Sequence, residues 1–162
     1  KEGNTVKAEN YFRQSLEKDS NAPEPNANMS TISLINGDFR SAELYAAKGV
    51  NAASSDDNLG NLYVAQGKYD LAAQKLGKSY NNSAALAQIL AKDYSAATNT
   101  LNNIKNPDAL TFYLKAIVAA RQNEEAAILT NLKQSIQKDA TYRTKALNDC
   151  EFYSFPNILK AI

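Results

Sequence analysis

One spacing recurs five times along the chain. A turn residue is followed two positions later, in most copies, by an aromatic; a small or β-branched residue comes five later and, in most copies, a large one nine later and a small one twelve later. The registers are Gly3, Thr5, Ala8, Phe12, Ser15; Gly37, Phe39, Ala42, Ala46, Gly49; Gly67, Tyr69, Ala72, Leu76, Ser79; Lys92, Tyr94, Ala97, Leu101, Ile104; and Asn123, Glu125, Ile128, Leu132, Ser135. Successive turn residues lie 34, 30, 25 and 31 positions apart. Periods of this length mark supersecondary units that stack on one another, which predicts an all-α solenoid of antiparallel helix hairpins.

Each register reads as the turn between a first helix and a second one. The first second-helix is predicted over about Thr5 to Lys18, after which Asn21, Pro23, Pro25 and Asn26 are expected to break the chain. The next hairpin follows as about Ala27 to Asn36, the Gly37 turn, and Phe39 to Lys48. Ser54 to Asp57 offer capping oxygens for a first helix ending at Gly67, and Asn81 to Ser83 cap a shorter one. That fourth unit is compressed, and Lys92 stands where glycine most easily adopts a left-handed backbone, so local irregularity is expected there. Asp108 to Arg121 form the longest first helix, with Asn123 suited to a positive φ. A last helix over about Thr141 to Asn148 is expected to cap the stack with Arg143, Lys145 and Asn148 outward. The tail from Pro156 to Ile162 reads either as a short helical turn or as loose chain.

The alanines have a direct reason. A methyl group lets crossing helices approach to roughly 8 Å, while a leucine or aromatic nearby fills the space between hairpins. Ala8, Ala42, Ala72 and Ala97 are therefore predicted core contacts. A bulky residue such as leucine at Ala72 is expected to cost about 1 to 3 kcal/mol, read as a lower urea midpoint at unchanged slope.

Composition narrows the function. At 162 residues, 44% hydrophobic and 22% charged, residues 1–162 read as one globular domain. Eighteen basic residues against seventeen acidic leave a net charge of +1, too little uncompensated charge for a phosphate-tracking surface, so no nucleic-acid partner is expected. No stretch approaches the roughly 18 apolar residues of a membrane span, so no direct membrane insertion is expected of this segment. The chain opens on Lys1 rather than methionine, and its first register begins at the turn, so it is expected to be a piece of a longer protein.

Catalytic chemistry is poorly supplied. With no histidine, the commonest general base and transition-metal ligand is missing, and the single Cys150 cannot build a zinc site. No phosphate loop or acidic calcium loop occurs, so no cofactor and no metal are expected. Asp56-Asp57 and Glu124-Glu125 stand at helix starts and read as capping and dipole compensation. Cys150, with no basic neighbour to activate it, is expected to be buried. Tyr63, Tyr69, Tyr94, Phe12 and Phe39 fall on the packing register and are expected in the core.

Leu59, Gly60, Tyr63, Gly67, Tyr69, Ala72 and Leu76 together resemble the tetratricopeptide repeat. The segment 58–155, through Asn131-Leu132-Lys133, Tyr142 to Asp149 and Glu151-Phe152, also resembles the C-terminal part of tetratricopeptide proteins of Bacteroidetes cell envelopes. The first resemblance implies a right-handed superhelix with a C-terminal capping helix and a concave face formed by the first helices. Carried onto this chain, that face comprises Thr31, Leu34, Asn61, Val64, Leu86, Tyr113 and Ile117. The lysine, arginine and asparagine clamp of chaperone-tail domains is matched at Asn61 alone, so a terminal carboxylate held in that manner is not the expected ligand.

The expected function is a non-catalytic scaffold that binds a partner peptide or domain in this groove. The alternative is an envelope protein whose repeats support an adjacent glycan- or peptidoglycan-binding domain. An enzyme would need its active site in another part of the protein. Stacking of solenoid ends is compatible with a homo-oligomer. The envelope resemblance implies a periplasmic or outer-membrane-associated setting, and a lone cysteine is equally compatible with the cytoplasm.

Overall fold

The computed structural model describes residues 2–162, with side chains from Asn4 onward. Among the described residues the chain is all-α, with helices, one 3-10 turn and no strand. Two compact units are found, divided between Leu76 and Gly77. The first contains α1 (Glu2–Lys18), α2 (Pro23–Ile35), α3 (Phe39–Lys48), α4 (Ser55–Ala65) and α5 (Tyr69–Leu76). The second contains α6 (Asn82–Leu90), α7 (Tyr94–Asn102), α8 (Ala109–Arg121), α9 (Glu125–Lys138), α10 (Thr141–Asn148), the 3-10 turn Cys150–Phe152 and α11 (Pro156–Ala161). No helix among the described residues is long and apolar enough to cross a membrane.

Four of the five registers turn as their spacing requires. Gly37, Gly67, Lys92 and Asn123 have φ of 76°, 71°, 62° and 62°. Each turn closes with the same pair of backbone bonds, for example Gly37 N–H to the Leu34 carbonyl and Asp38 N–H to that of Ser33. This pairing satisfies two carbonyls that the helix end leaves open. Lys92 does so without the expected irregularity: its N–H donates to Ile89 and that of Asp93 to Gln88. A left-handed lysine costs about 1 to 2 kcal/mol, which the shared bonding and packing tolerate. Gly3 is different, since it lies within α1, which runs from Glu2. A helical glycine costs only about 1 kcal/mol relative to alanine, too little to end a helix by itself.

The prolines also need correction. Pro23 and Pro25 do not interrupt the chain but stand in the first turn of α2, where a missing N–H removes no helix bond. Asp38 and Asp93 start α3 and α7 by accepting from Ser41 N–H and Ala96 N–H, each at 3.0 Å.

The seams between paired helices follow the register. Ala42, Ala72 and Ala97 are 0% exposed, and Leu76, Leu101 and Leu132 are 1% exposed or less. Polar ties cross the same seams: Ser30 Oγ donates to the Ala42 carbonyl at 2.8 Å and Ser135 Oγ to that of Ala109 at 2.7 Å. Ala8 is only half-buried, because α1 is packed along α2 and leaves the rest of its own seam open. Phe12, Tyr63 and Tyr94 are half-buried rather than core, and Phe39 and Tyr69 are exposed. Phe39 and Tyr69 each open a helix directly after a hairpin turn, where the ring is left partly in solvent.

The aromatic core lies in the second unit. Tyr113, Tyr142, Phe152 and Phe155 are buried there with Ile128, Leu132 and Ile158. The chain after α9 builds this core: α10 and α11 lie along α9 and the 3-10 turn lies on α8, so the tail is ordered as a short, incomplete final hairpin. Arg143, Lys145 and Asn148 are exposed, as a terminal cap requires.

Candidate interaction surface

In the first unit α2 and α4 lie side by side as first helices, and Asn58 joins them. Its amide donates to the Ala27 carbonyl at 3.1 Å, and its oxygen accepts from the Thr31 hydroxyl at 2.9 Å. Residues three apart share a helix face, so Thr31 and Leu34 on α2 stand beside Asn58 and Asn61 on α4. Thr31 and Asn61 are exposed, while Leu34 and Val64 are half-buried. Leu34 packs against Ala42, Ala46 and Leu62, so only its outer edge is open to a ligand.

The second unit repeats this joint with other residues. Asn82 on α6 donates to the Asp108 carboxylate at 3.0 Å and accepts from the Thr111 hydroxyl at 2.9 Å. Asp108 also accepts from Thr111 N–H at 2.8 Å, completing a capping box at the start of α8. Burial alone would raise the Asp108 pKa, but these donors together outweigh it and hold the carboxyl below its usual range. Leu86 on α6 is exposed, and Ile117 on α8 is half-buried between the two core clusters of the unit.

Tyr113 does not line an open surface. It is 7% exposed, with Tyr142 and Phe152 edge-on at 5.2 and 5.7 Å and its hydroxyl donating to Asp149 at 2.6 Å. The face of α8 expected to be free is covered by α10 and the 3-10 turn, which occupy the place of a following first helix. Arg121 and Glu151 add a bidentate ion pair between the same elements. The seven expected groove residues therefore divide into Thr31, Leu34, Asn61 and Val64 in one unit, Leu86 and Ile117 in the other, and Tyr113 in the core.

Burial first, then the bond to Asp149, pushes the Tyr113 pKa upward. A group whose folded pKa lies above its unfolded value of 10.0 contributes stability that is complete below that pH and is lost as pH rises past it. Wild type is therefore expected to lose stability above about pH 10, and Tyr113→Phe to lose less of it over the same range, in urea titrations from pH 8 to 11. Equal alkaline losses would show that Tyr113 does not carry this dependence.

Asp56 stands in the first turn of α4, where the helix dipole favours a carboxylate as expected, and it also pairs with Lys75 of α5 at 3.1 Å. Cys150 is exposed, not buried, because the 3-10 turn sends Phe152 inward instead. The joints through Asn58, Asn82 and Asp149 had a faint sequence signal, each being a short polar side chain next to a helix end.

No family model matches the chain, and no curated protein is similar to it in sequence. In structure it is similar to the crystal structure of a tetratricopeptide repeat protein from Parabacteroides merdae, with 15% sequence identity and a TM-score of 0.63. The match covers 98% of this chain and 64% of that one, so the chain spans less than two thirds of its neighbour's length. At this identity the likeness concerns the fold, an all-α architecture of helix hairpins like those of tetratricopeptide repeats.

Proposed function

We propose that this chain is a non-catalytic protein-interaction scaffold that binds a partner peptide or domain on the open faces of its first helices. The observation that carries this reading is the pairing of exposed Thr31, Asn61 and Leu86 with first helices fixed by buried seams and polar joints. A rigid surface loses little entropy on binding. Asn61 offers both a donor and an acceptor to a partner backbone, and Leu86 offers apolar area. The absence of histidine from the sequence supports a role without catalysis. The setting we assign, on the resemblance of residues 58–155 to envelope proteins, is periplasmic or outer-membrane associated, and cell fractionation tests it.

The test is affinity capture with wild type and with Asn61→Ala plus Leu86→Ala, followed by binding measurements on the purified captured protein. Both substitutions are at exposed positions, so circular dichroism is expected to show an unchanged fold. A dissociation constant raised about tenfold in the variant, roughly 1.4 kcal/mol, supports the reading. Equal affinity of both proteins contradicts it.

A further inference from the structure

A second concavity opens between the second helices α7 and α9, with α8 between them, and holds about 520 Å³. This falls within the roughly 300 to 1,000 Å³ typical of ligand sites. Its two ends differ in charge. Lys115 on α8 lies eight residues before the Asn123 turn and Asn131 on α9 eight after it, so the hairpin brings them level. Gln122 and Glu124 flank the turn at the other end, seven residues further along α8 from Lys115, or about 10 Å by helix rise.

Among the described residues no carboxylate pairs with Lys115, and burial pulls its pKa down. Its ammonium stands 5.6 Å from the Phe112 ring centre, and Lys115 is the cation among the groove's lining residues, so this end is positive. Glu124 starts α9 without making a side-chain cap, and no ion pair engages it among the described residues. Amides line the space between. The Asn131 side-chain N–H donates to Ala127, leaving its oxygen to accept, and the Asn99 oxygen accepts from Asn103, leaving its own N–H groups to donate. Leu101 and Val118 give the groove an apolar floor, and no aromatic ring lines it to stack against a sugar face.

We propose that this groove binds a short extended peptide segment, its carboxylate toward Lys115, its ammonium toward Glu124 and its main-chain amides along the asparagines. Three extended residues span about 10 Å, matching the separation of the charged ends. This site is separate from the first-helix surface, so Asn61→Ala with Leu86→Ala leaves it intact. The carboxylate and ammonium can be the termini of a free tripeptide or the side chains of an internal protein segment.

The test is a ¹⁵N amide titration of the whole chain with three probes. These are trialanine with free ends, end-blocked Lys-Ala-Glu, and end-blocked trialanine as the neutral control. At least one charged probe is expected to shift Asn99, Lys115, Gln122 and Asn131, with the neutral control at least about tenfold weaker. Lys115→Met and Glu124→Gln are each expected to weaken the charged probe about tenfold while the amide spectrum stays folded. Response to trialanine alone identifies free short peptides as the source, and response to blocked Lys-Ala-Glu alone identifies an internal segment. No shift of these residues at about 10 mM of either charged probe overturns the proposal, as does full affinity in both variants or equal affinity for the neutral control.

Discussion

Phe152→Ala is expected to destabilise the second unit by about 3 to 5 kcal/mol. The side chain is 0% exposed and meets the Tyr113 ring edge-on at 5.7 Å. It shares its cluster with Tyr142, Phe155 and Ile158, all drawn from the last quarter of the chain. Removing the ring leaves a cavity among groups that belong to different helices, and rigid helices do not collapse into it. Losing the ring also loosens the 3-10 turn that carries Glu151 and is capped by Asp149. Urea unfolding followed by tyrosine near-UV signal measures the effect, since the chain has no tryptophan. A loss below about 1 kcal/mol would mean that the tail does not form part of the core in solution.

The second large effect concerns a contact in the first unit. Leu76 on α5 is 1% exposed and lies directly over Gly60 of α4, where an added Cβ would fall 2.7 Å from Leu76 Cδ2. Leu76→Ala is expected to cost about 2 to 5 kcal/mol through the cavity it leaves. Gly60→Ala gains about 1 kcal/mol of helix propensity but overpacks the seam by about 1 to 3 kcal/mol, so the net change is destabilising. In the double variant the new methyl enters the space that leucine vacated. Its loss is therefore expected to fall short of the sum of the single losses by about 0.5 to 3 kcal/mol, measured as a double-mutant cycle in urea. Strict additivity would contradict the close approach of α4 to α5.

The turns were legible because few residues tolerate a left-handed backbone. Gly37, Gly67 and Asn123 are among those few, and the register that they anchor locates Lys92 despite its chemistry. The alanine seams were legible for a related reason, since only a small side chain fits where two helices cross, and Ala42, Ala72 and Ala97 are all fully buried. Neighbours far along the chain left no such signature. Tyr113 carries the same spacing whether or not a later segment covers it, and it is Tyr142 and Phe152 that decide its burial. Cys150 likewise depends on how a three-residue turn rotates, which periodicity does not encode. The prolines misled because Pro23 reads as a breaker in isolation and as a helix start only once Ala22 is seen to precede a first turn.

The most direct measurement is site-specific photocrosslinking of the chain to its captured partner. A benzophenone side chain is placed either at Asn61, exposed on the first helix α4, or at Leu44, 63% exposed on the second helix α3. Both positions belong to the same unit, so they share expression, stability and access to the partner. The expected result is a crosslink from position 61 and none from position 44. A crosslink from position 44 with none from position 61 would contradict the assignment of partner binding to the first helices.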